Sequence, residues 1–208
     1  MNYSSLVSQI QNFMEDDSTE LSNSINDIIA QAEEMIFQRL PSLPCFRQVA
    51  TANFVVGTFD YTVANARMIR QVSITDSSSN ISFLNHRIDS YLRDFHPNTS
   101  TTSTPEMYST KNATTSGIIF TVAPTPSATL AYQVDFVAPV SGLSSSNTTT
   151  WLGDNAENVL LAAALYETSA FLKASETLSL YKAQFDEAIA LFQQEMARNY
   201  TAEYNAGI

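Results

Sequence analysis

Residues 129–138 read TLAYQVDFVA. Leu130, Tyr132, Val134, Phe136 and Ala138 fall on one parity, and Ala131, Gln133, Asp135 and Val137 on the other. A period of two sends alternate side chains to opposite faces, so this stretch predicts an antiparallel strand with one face buried. The same period recurs upstream, with Ile118, Phe120 and Val122 in 116–123, Val72 and Ile74 among Gln71, Ser73 and Thr75, and Phe59, Tyr61 and Val63 around Asp60 and Thr62. Pro124 and Pro126 lie between 116–123 and 129–138. They predict a stiff turn joining two paired strands and lying outside the ladder, since proline has no N–H to donate and its fixed φ lowers loop entropy. The tip of that turn is expected to face solvent or a neighbouring protein.

One interruption, His86–Phe95 (HRIDSYLRDF), carries Ile88, Tyr91, Leu92 and Phe95 at helical spacing and predicts a short helix. His86 would stand at its start and His96 at its C-terminal end, before Pro97, where a cation meets the helix dipole. The Ser/Thr-rich stretch that follows, to about Gly117, predicts a surface connection with one edge strand near Met107–Ser109.

Outside this central region the period is helical. Leu6, Ile10 and Phe13 mark a short first helix, and Asp17 with Glu20 has the spacing of a capping box. Leu21, Ile25, Ile28, Ala32, Met35 and Ile36 then form one apolar face, opposite Asn23, Asp27, Gln31, Glu34 and Gln38, until Pro41 and Pro44 end the helix. At the other end Asp154 and Glu157 offer a second capping box, before a helix apolar almost all round from Val159 to Tyr166, as expected at the centre of a bundle. After a break near Ala174–Thr177, Leu178, Tyr181, Phe185, Ile189, Phe192 and Met196 make a last amphipathic stripe. Neither end alone has layers enough to cover its apolar faces. The fold class expected is therefore α+β. Residues 1–45 and 151–198 build a helical bundle, 46–150 an inserted β-sandwich-like domain, and 199–208 a C-terminal extended tail.

Charge follows the same division. Of a net −11 over 208 residues, residues 1–45 hold seven acids and one base, 46–150 six of each, and 151–208 eight acids and three bases. Such a balance excludes a conventional DNA-gripping surface, which needs Lys and Arg against phosphates. The longest apolar run, Val159–Tyr166, is too short to span a bilayer, and the first residues lack a secretory signal, so no membrane partner is expected. The single cysteine, Cys45, permits neither an internal disulfide nor a cysteine-rich zinc site and is expected to pack as a small apolar residue.

Chemistry is hard to assemble from what remains. The bases available to a nucleophile are His86 and His96, both beside one short charged helix; Glu15-Asp16-Asp17 lacks the alternating oxygens of a calcium loop. Five glycines form no phosphate loop. No catalytic, cofactor-binding or metal-binding residue is nominated, and no cofactor. Trp151, the only tryptophan, predicts hinge packing or a subunit contact where the chain re-enters the bundle.

The ordered set of motifs, however, resembles the head-to-tail adaptor (neck or connector) proteins of tailed bacteriophages. It runs from FMEDDSTEL (13–21) and IIAQAEEMIFQRLP (28–41), through FLNHRIDSYLRDFHP (83–97), TPEMYST (104–110) and IIFTVAPTPSATLAYQVDFVAPVSGLS (118–144). It ends in TTTWL (148–152), LLAAALYETSAFLK (160–173) and LYKAQFDEAI (180–189). The resemblance implies a non-enzymatic virion protein at the neck, made in the host cytoplasm. It would form a homo-oligomeric ring, a dodecamer, dock under the portal protein and continue the DNA channel toward a downstream tail or nozzle protein. Double-stranded DNA would pass without sequence-specific binding.

Carried onto this chain, the resemblance makes Asn199, Tyr200, Tyr204 and Ile208 candidate portal-binding residues. Tyr181, Phe185, Phe192 and Trp151 become candidate ring-interface residues, and 178–196 an inter-subunit helix. An acidic bundle fits a repulsive channel lining, with Glu33, Glu34, Asp186 and Glu187 as candidates. The alternative is a virion-associated module whose β domain recognises a glycan or protein through Thr-rich loops and Tyr61, Tyr91 and Tyr108.

Overall fold

The computed structural model describes the backbone of residues 1–206 and the side chains of residues 1–199. The chain is α+β, with helices towards both ends and strands between them. It divides into two compact units: Met1–Leu40 with the residues from Val140 onward, and Pro41–Pro139. Residues 140–150, which composition groups with the strands, fall in the helical unit. They are tied there by Glu33, whose carboxylate accepts from the Leu143 N–H, and by Thr148, whose carbonyl accepts from the Tyr3 N–H.

In the helical unit, α1 (Tyr3–Met14) opens on Asn2, whose side chain accepts from the Ser5 N–H, and ends at Glu15 in the left-handed region, φ 51°. Leu6 and Ile10 are buried, but Phe13 is exposed. The cap of α2 (Thr19–Arg39) is Ser18, whose hydroxyl accepts from Leu21 N–H, and not Asp17. Asp16 accepts from the Ser18 N–H and sets that turn, so the cap falls one residue later than the Asp17–Glu20 spacing suggests. The second predicted box does not cap the helix it precedes: the helix from Glu157 has Ala156 at its N-cap with no side-chain hydrogen bond. Asp154 lies within a short α4 (Trp151–Asn155) that Thr150 opens by accepting from Gly153 N–H, and Asp154 and Glu157 lie 3.8 and 3.4 Å from the Met1 ammonium.

Helix α5 (Glu157–Phe171) is the hub, packed against α1, α2, α4 and the last helix. Val159, Leu160, Ala162–Leu165, Thr168 and Ser169 are all buried. The small alanines let neighbouring backbones approach, and the Thr168 hydroxyl avoids a desolvation cost by donating to Ala164 O at 2.7 Å. Lys173, at φ 55°, breaks the chain into the last helix, the 32-residue Ser175–Ala206. Counting the helix of the β unit given below as α3, this is α6. The extended tail expected from 199 is helical through Ala206, since no glycine or proline interrupts the sequence before Gly207. Ile208 lies outside the described residues.

The β unit holds two four-stranded sheets. One runs β1-β10-β3-β4, from β1 (Arg47–Asn53), β3 (Met68–Thr75), β4 (Ile81–Phe83) and β10 (Ala131–Val137). The other runs β2-β8-β7-β5, from β2 (Asp60–Ala64), β5 (Asn85–His86), β7 (Met107–Thr114) and β8 (Gly117–Ala123). One apolar cluster draws on both, including Val72, Ile74, Val134 and Phe136 from the first and Val63, Tyr108, Ile118, Phe120 and Val122 from the second. Each fully buried large side chain in it, such as Phe120 or Phe54, contributes roughly 1.5–3 kcal/mol.

Three expectations change here. Residues 117–123 and 131–137 are not partners, since β8 and β10 belong to different sheets and 124–130 carries the chain between them. Pro124 and Pro126 are buried, not at an exposed tip. Thr125–Pro126 forms β9, paired in parallel with β6 (Thr102–Ser103); Thr125 Oγ1 donates to Thr99 O at 2.7 Å and Pro126 O accepts from Gly57 N–H. Two apolar rings without N–H donors suit a covered crossing, where an orphan donor would cost more than in a loop. Next, the strand expected near Met107–Ser109 extends to Thr114 as β7; Met107 and Tyr108 lie between β8 and β5, and the Ser/Thr-rich remainder pairs with β8 alone, across a register shift. Last, His86 pairs with Tyr108 in β5, and the helix α3 (Asp89–Phe95) begins three residues later.

Candidate functional site

The acids of the helical unit are not equivalent. Glu33 is half-buried and both carboxylate oxygens lie within hydrogen-bond distance of the Leu143 N–H, at 3.1 and 3.2 Å. Burial holds its carboxyl above the ordinary carboxylate range, against the opposing pull of that N–H. Gly142 passes so close that a Cβ there would strike the same carboxylate. Glu33 is therefore an internal anchor for the segment that re-enters the bundle. Glu34 accepts from Gln38 Nε2 at 3.4 Å, one turn away. Asp186 lies 3.4 Å from Arg39, both about half exposed, a pair worth little in water. Glu187 is exposed and lines a groove of about 590 Å³ between the α4–α5 junction and α6, with Asp154, Glu157, Glu195, Leu191 and Phe192.

The four candidate interface aromatics are placed mostly inside. Tyr181, Phe185 and Phe192 are buried, at 8, 1 and 8 % exposure, and Trp151, half-buried, meets Phe192 edge-on at 6.4 Å between centroids. Their apolar surface covers the chain's own bundle. Among the described residues, the large exposed apolar side chains of α6 are Leu180 and Leu191, off the stripe, at 53 and 58 %. Sequence reasoning missed them because a helical wheel assigns single outward leucines to background. Among the C-terminal candidates, Asn199 is exposed, Tyr200 and Tyr204 lie on α6 with side chains outside the described residues, and Ile208 is not described.

In the β unit, Tyr108 is buried and its hydroxyl donates to Arg70 O at 3.3 Å. Tyr61 packs against Phe54, Phe120 and Tyr132 while its hydroxyl accepts from Val55 N–H and contacts Thr58 O at 2.8 Å. Desolvation raises the pKa of both phenols. Of the three tyrosines needed by a recognition module, Tyr108 is thus a core residue and Tyr61 packs half-buried against the core. Only Tyr91 is exposed, stacked on Phe95 with the Arg87 guanidinium 5.6 Å from its ring centroid.

His86 and His96 do not converge on a nucleophile. His86 packs against the Tyr108 ring at 4.9 Å and His96 caps α3 through its backbone N–H to Leu92 O. The Cys45 thiol is half-buried and pushed up to about 11 by desolvation, the environment of an inert thiol. Among the described residues, no group of three or more His, Cys, Asp or Glu side chains is placed to hold a metal ion, and no helix is long and apolar enough to cross a membrane.

None of the curated proteins compared with the chain matches it. The family model described as SU10 adaptor protein matches residues 1–206, nearly the whole length and both units. The chain therefore belongs to the SU10 adaptor protein family, a family of structural phage adaptors and not of enzymes.

Proposed function

We propose that this adaptor forms a homo-oligomeric ring, a dodecamer, that docks under the portal protein at the virion neck, continues the DNA channel and receives a downstream tail or nozzle protein. The observation that carries the reading is the family match across residues 1–206. Charge placement supports the channel role. The β unit, Pro41–Pro139, has six acids and six bases, so the whole net −11 lies on the helical unit. A duplex slides past an acidic wall because no cation exchanges for its counterions, whereas a basic wall would hold it. Glu187, exposed in the α6 groove, is the strongest of the candidate channel acids, followed by Glu34 and Asp186. Glu33, engaged with Leu143, is the weakest. The carboxyl-terminal stretch of α6 from Asn199 onward is the proposed portal contact.

Electron microscopy of virions with the chain tagged by a small rigid label tests the whole reading. Density as a ring between portal and tail is the expected result; density at fibre tips or on the capsid faces sinks it. Deletion of residues 199–208 should leave a folded chain, with its circular dichroism melt retained, that no longer binds portal in pull-down. Full retention of binding moves the portal contact elsewhere.

A further inference from the structure

The first sheet of the β unit ends in β1 on one side and β4 on the other. Hydrogen bonds fix which residues look outward at each edge. Phe54 N–H donates to Leu130 O, in line with the Asn53↔Ala131 register, and Leu84 N–H donates to Val72 O, in line with Ser73↔Phe83. Alternation then directs the backbone N–H and C=O of Val49 and Thr51 away from β10, and those of Ile81 and Phe83 away from β3. These same residues send their side chains to the sheet's outer face. In the interior strands that face is polar, with Gln71, Ser73 and Thr75 on β3 and Gln133 and Asp135 on β10. At the edges apolar side chains stand on that face: Val49, between Arg47 and Thr51 on β1, is 59 % exposed, and Ile81 and Phe83 on β4 are 65 and 63 % exposed. Neither edge strand contains a lysine, proline or register shift; of the devices that blunt an edge, β1 has one charge at its start, Arg47, and β4 is short, at three residues.

All three ladders of the sheet are antiparallel, and with four strands β4 runs opposite to β1. A second copy in the same orientation therefore brings its β1 alongside β4 in antiparallel sense, with outward-bonding residues in phase and outer faces matched. We propose that β4 of one copy pairs with β1 of the next, continuing the sheet across the subunit boundary and setting Phe83 opposite Val49 of the second copy. An aromatic beside a β-branched residue is a favourable cross-strand pair. The occupant is a second copy of this chain because its own two edges match in strand sense, hydrogen-bonding phase and outer face, and the β unit, with six acids and six bases, has no net charge to oppose their approach. The contact joins two different edges, so each added copy leaves one of each kind open, and rotation closes a ring. The inference rests on the ring reading for that closure; the pairing itself rests on the edges.

The test uses virions carrying the full chain with Cys45→Ser and paired substitutions, Val49→Cys with Phe83→Cys, or Val49→Cys with Ile81→Cys for the register two residues along. Mild oxidation or a short bis-maleimide should give a ladder of covalent oligomers from one of the double variants and none from any single variant. A ring at the neck without a ladder from either double variant overturns the pairing and leaves the adaptor reading intact. Dimers from Val49→Cys alone overturn it too, as they mean a two-fold contact between like edges. A ladder from particles whose labelled chain lies away from the neck sinks the adaptor reading and keeps the pairing. Independently, Phe83→Lys should leave the melt of the isolated chain unchanged and lower its incorporation into particles at least tenfold; unchanged incorporation overturns the proposal.

Discussion

At the scale of single residues, Glu33 has a sign that can be measured. Burial raises its pKa above the ordinary value of 4.5, so the folded chain holds that proton more tightly than the unfolded chain does. Its contribution to stability is then fully present below the unfolded pKa and is lost as pH rises through the folded one. Glu33→Gln keeps an oxygen to accept from Leu143 N–H without a charge to desolvate. Its melting temperature relative to the parent should rise between about pH 4 and about pH 7, spanning the carboxylate range; a difference that stays flat with pH means the carboxylate titrates normally. Glu33→Ala removes the acceptor and should cost roughly 1.5–3 kcal/mol in urea unfolding. Gly142→Ala, which drives a methyl into the same carboxylate, should destabilise in the same direction.

At the scale of elements, α6 separates packing from association. Phe185, at 1 % exposure, is buried in the helical unit, and Phe185→Ala should lower stability by about 3–5 kcal/mol. Leu191→Ala, on the open groove, should stay within about 0.5 kcal/mol of the parent. Chemical denaturation of both variants checks this, and comparable costs would mean that the groove side of α6 is core. The stripe itself was legible because Tyr181, Phe185, Ile189 and Phe192 recur at helical spacing, and β10 was legible because one of its faces is buried. Less visible were features set by partners distant in sequence. Residues 110–114 look like part of a surface connection because Thr, Lys and Asn dominate, yet pairing with β8 carries the strand on through them. Pro124 and Pro126 look like a surface turn, because sequence does not show that Thr99–Ser103 covers them. Ser18 replaces the acidic cap expected at Asp17, since Asp16 accepts from its N–H, and Asp154 lies near the Met1 ammonium within α4 while α5 starts after Ala156 without a side-chain cap. Single exposed residues such as Leu191 and Phe83 carry no periodic signal, so the candidate association surfaces were largely invisible in the sequence.

At the scale of the whole molecule, the separation of charge is the property with a functional consequence. Fifteen acids and four bases on the helical unit, against six and six on the β unit, make one half of the chain repel polyanions and leave the other half neutral. If the α6 groove faces the channel of a ring, Glu187 and Glu195 help keep DNA from adhering, and reversing them should convert a sliding surface into a binding one. Virions carrying Glu187→Lys with Glu195→Lys should therefore assemble but release DNA more slowly after triggering in vitro. The delay should be greatest near 0.01 M salt, where the screening length is about 30 Å, and should shrink near 0.15 M, where it is about 8 Å. Glu187→Gln with Glu195→Gln, neutral at both positions, should show less than half of that delay, because uncharged amides release no counterions. Ejection followed by DNA-dye fluorescence across the two salt concentrations separates the cases. A delay that ignores salt points to altered assembly, and release indistinguishable from the parent in both variants places this face of α6 away from the DNA.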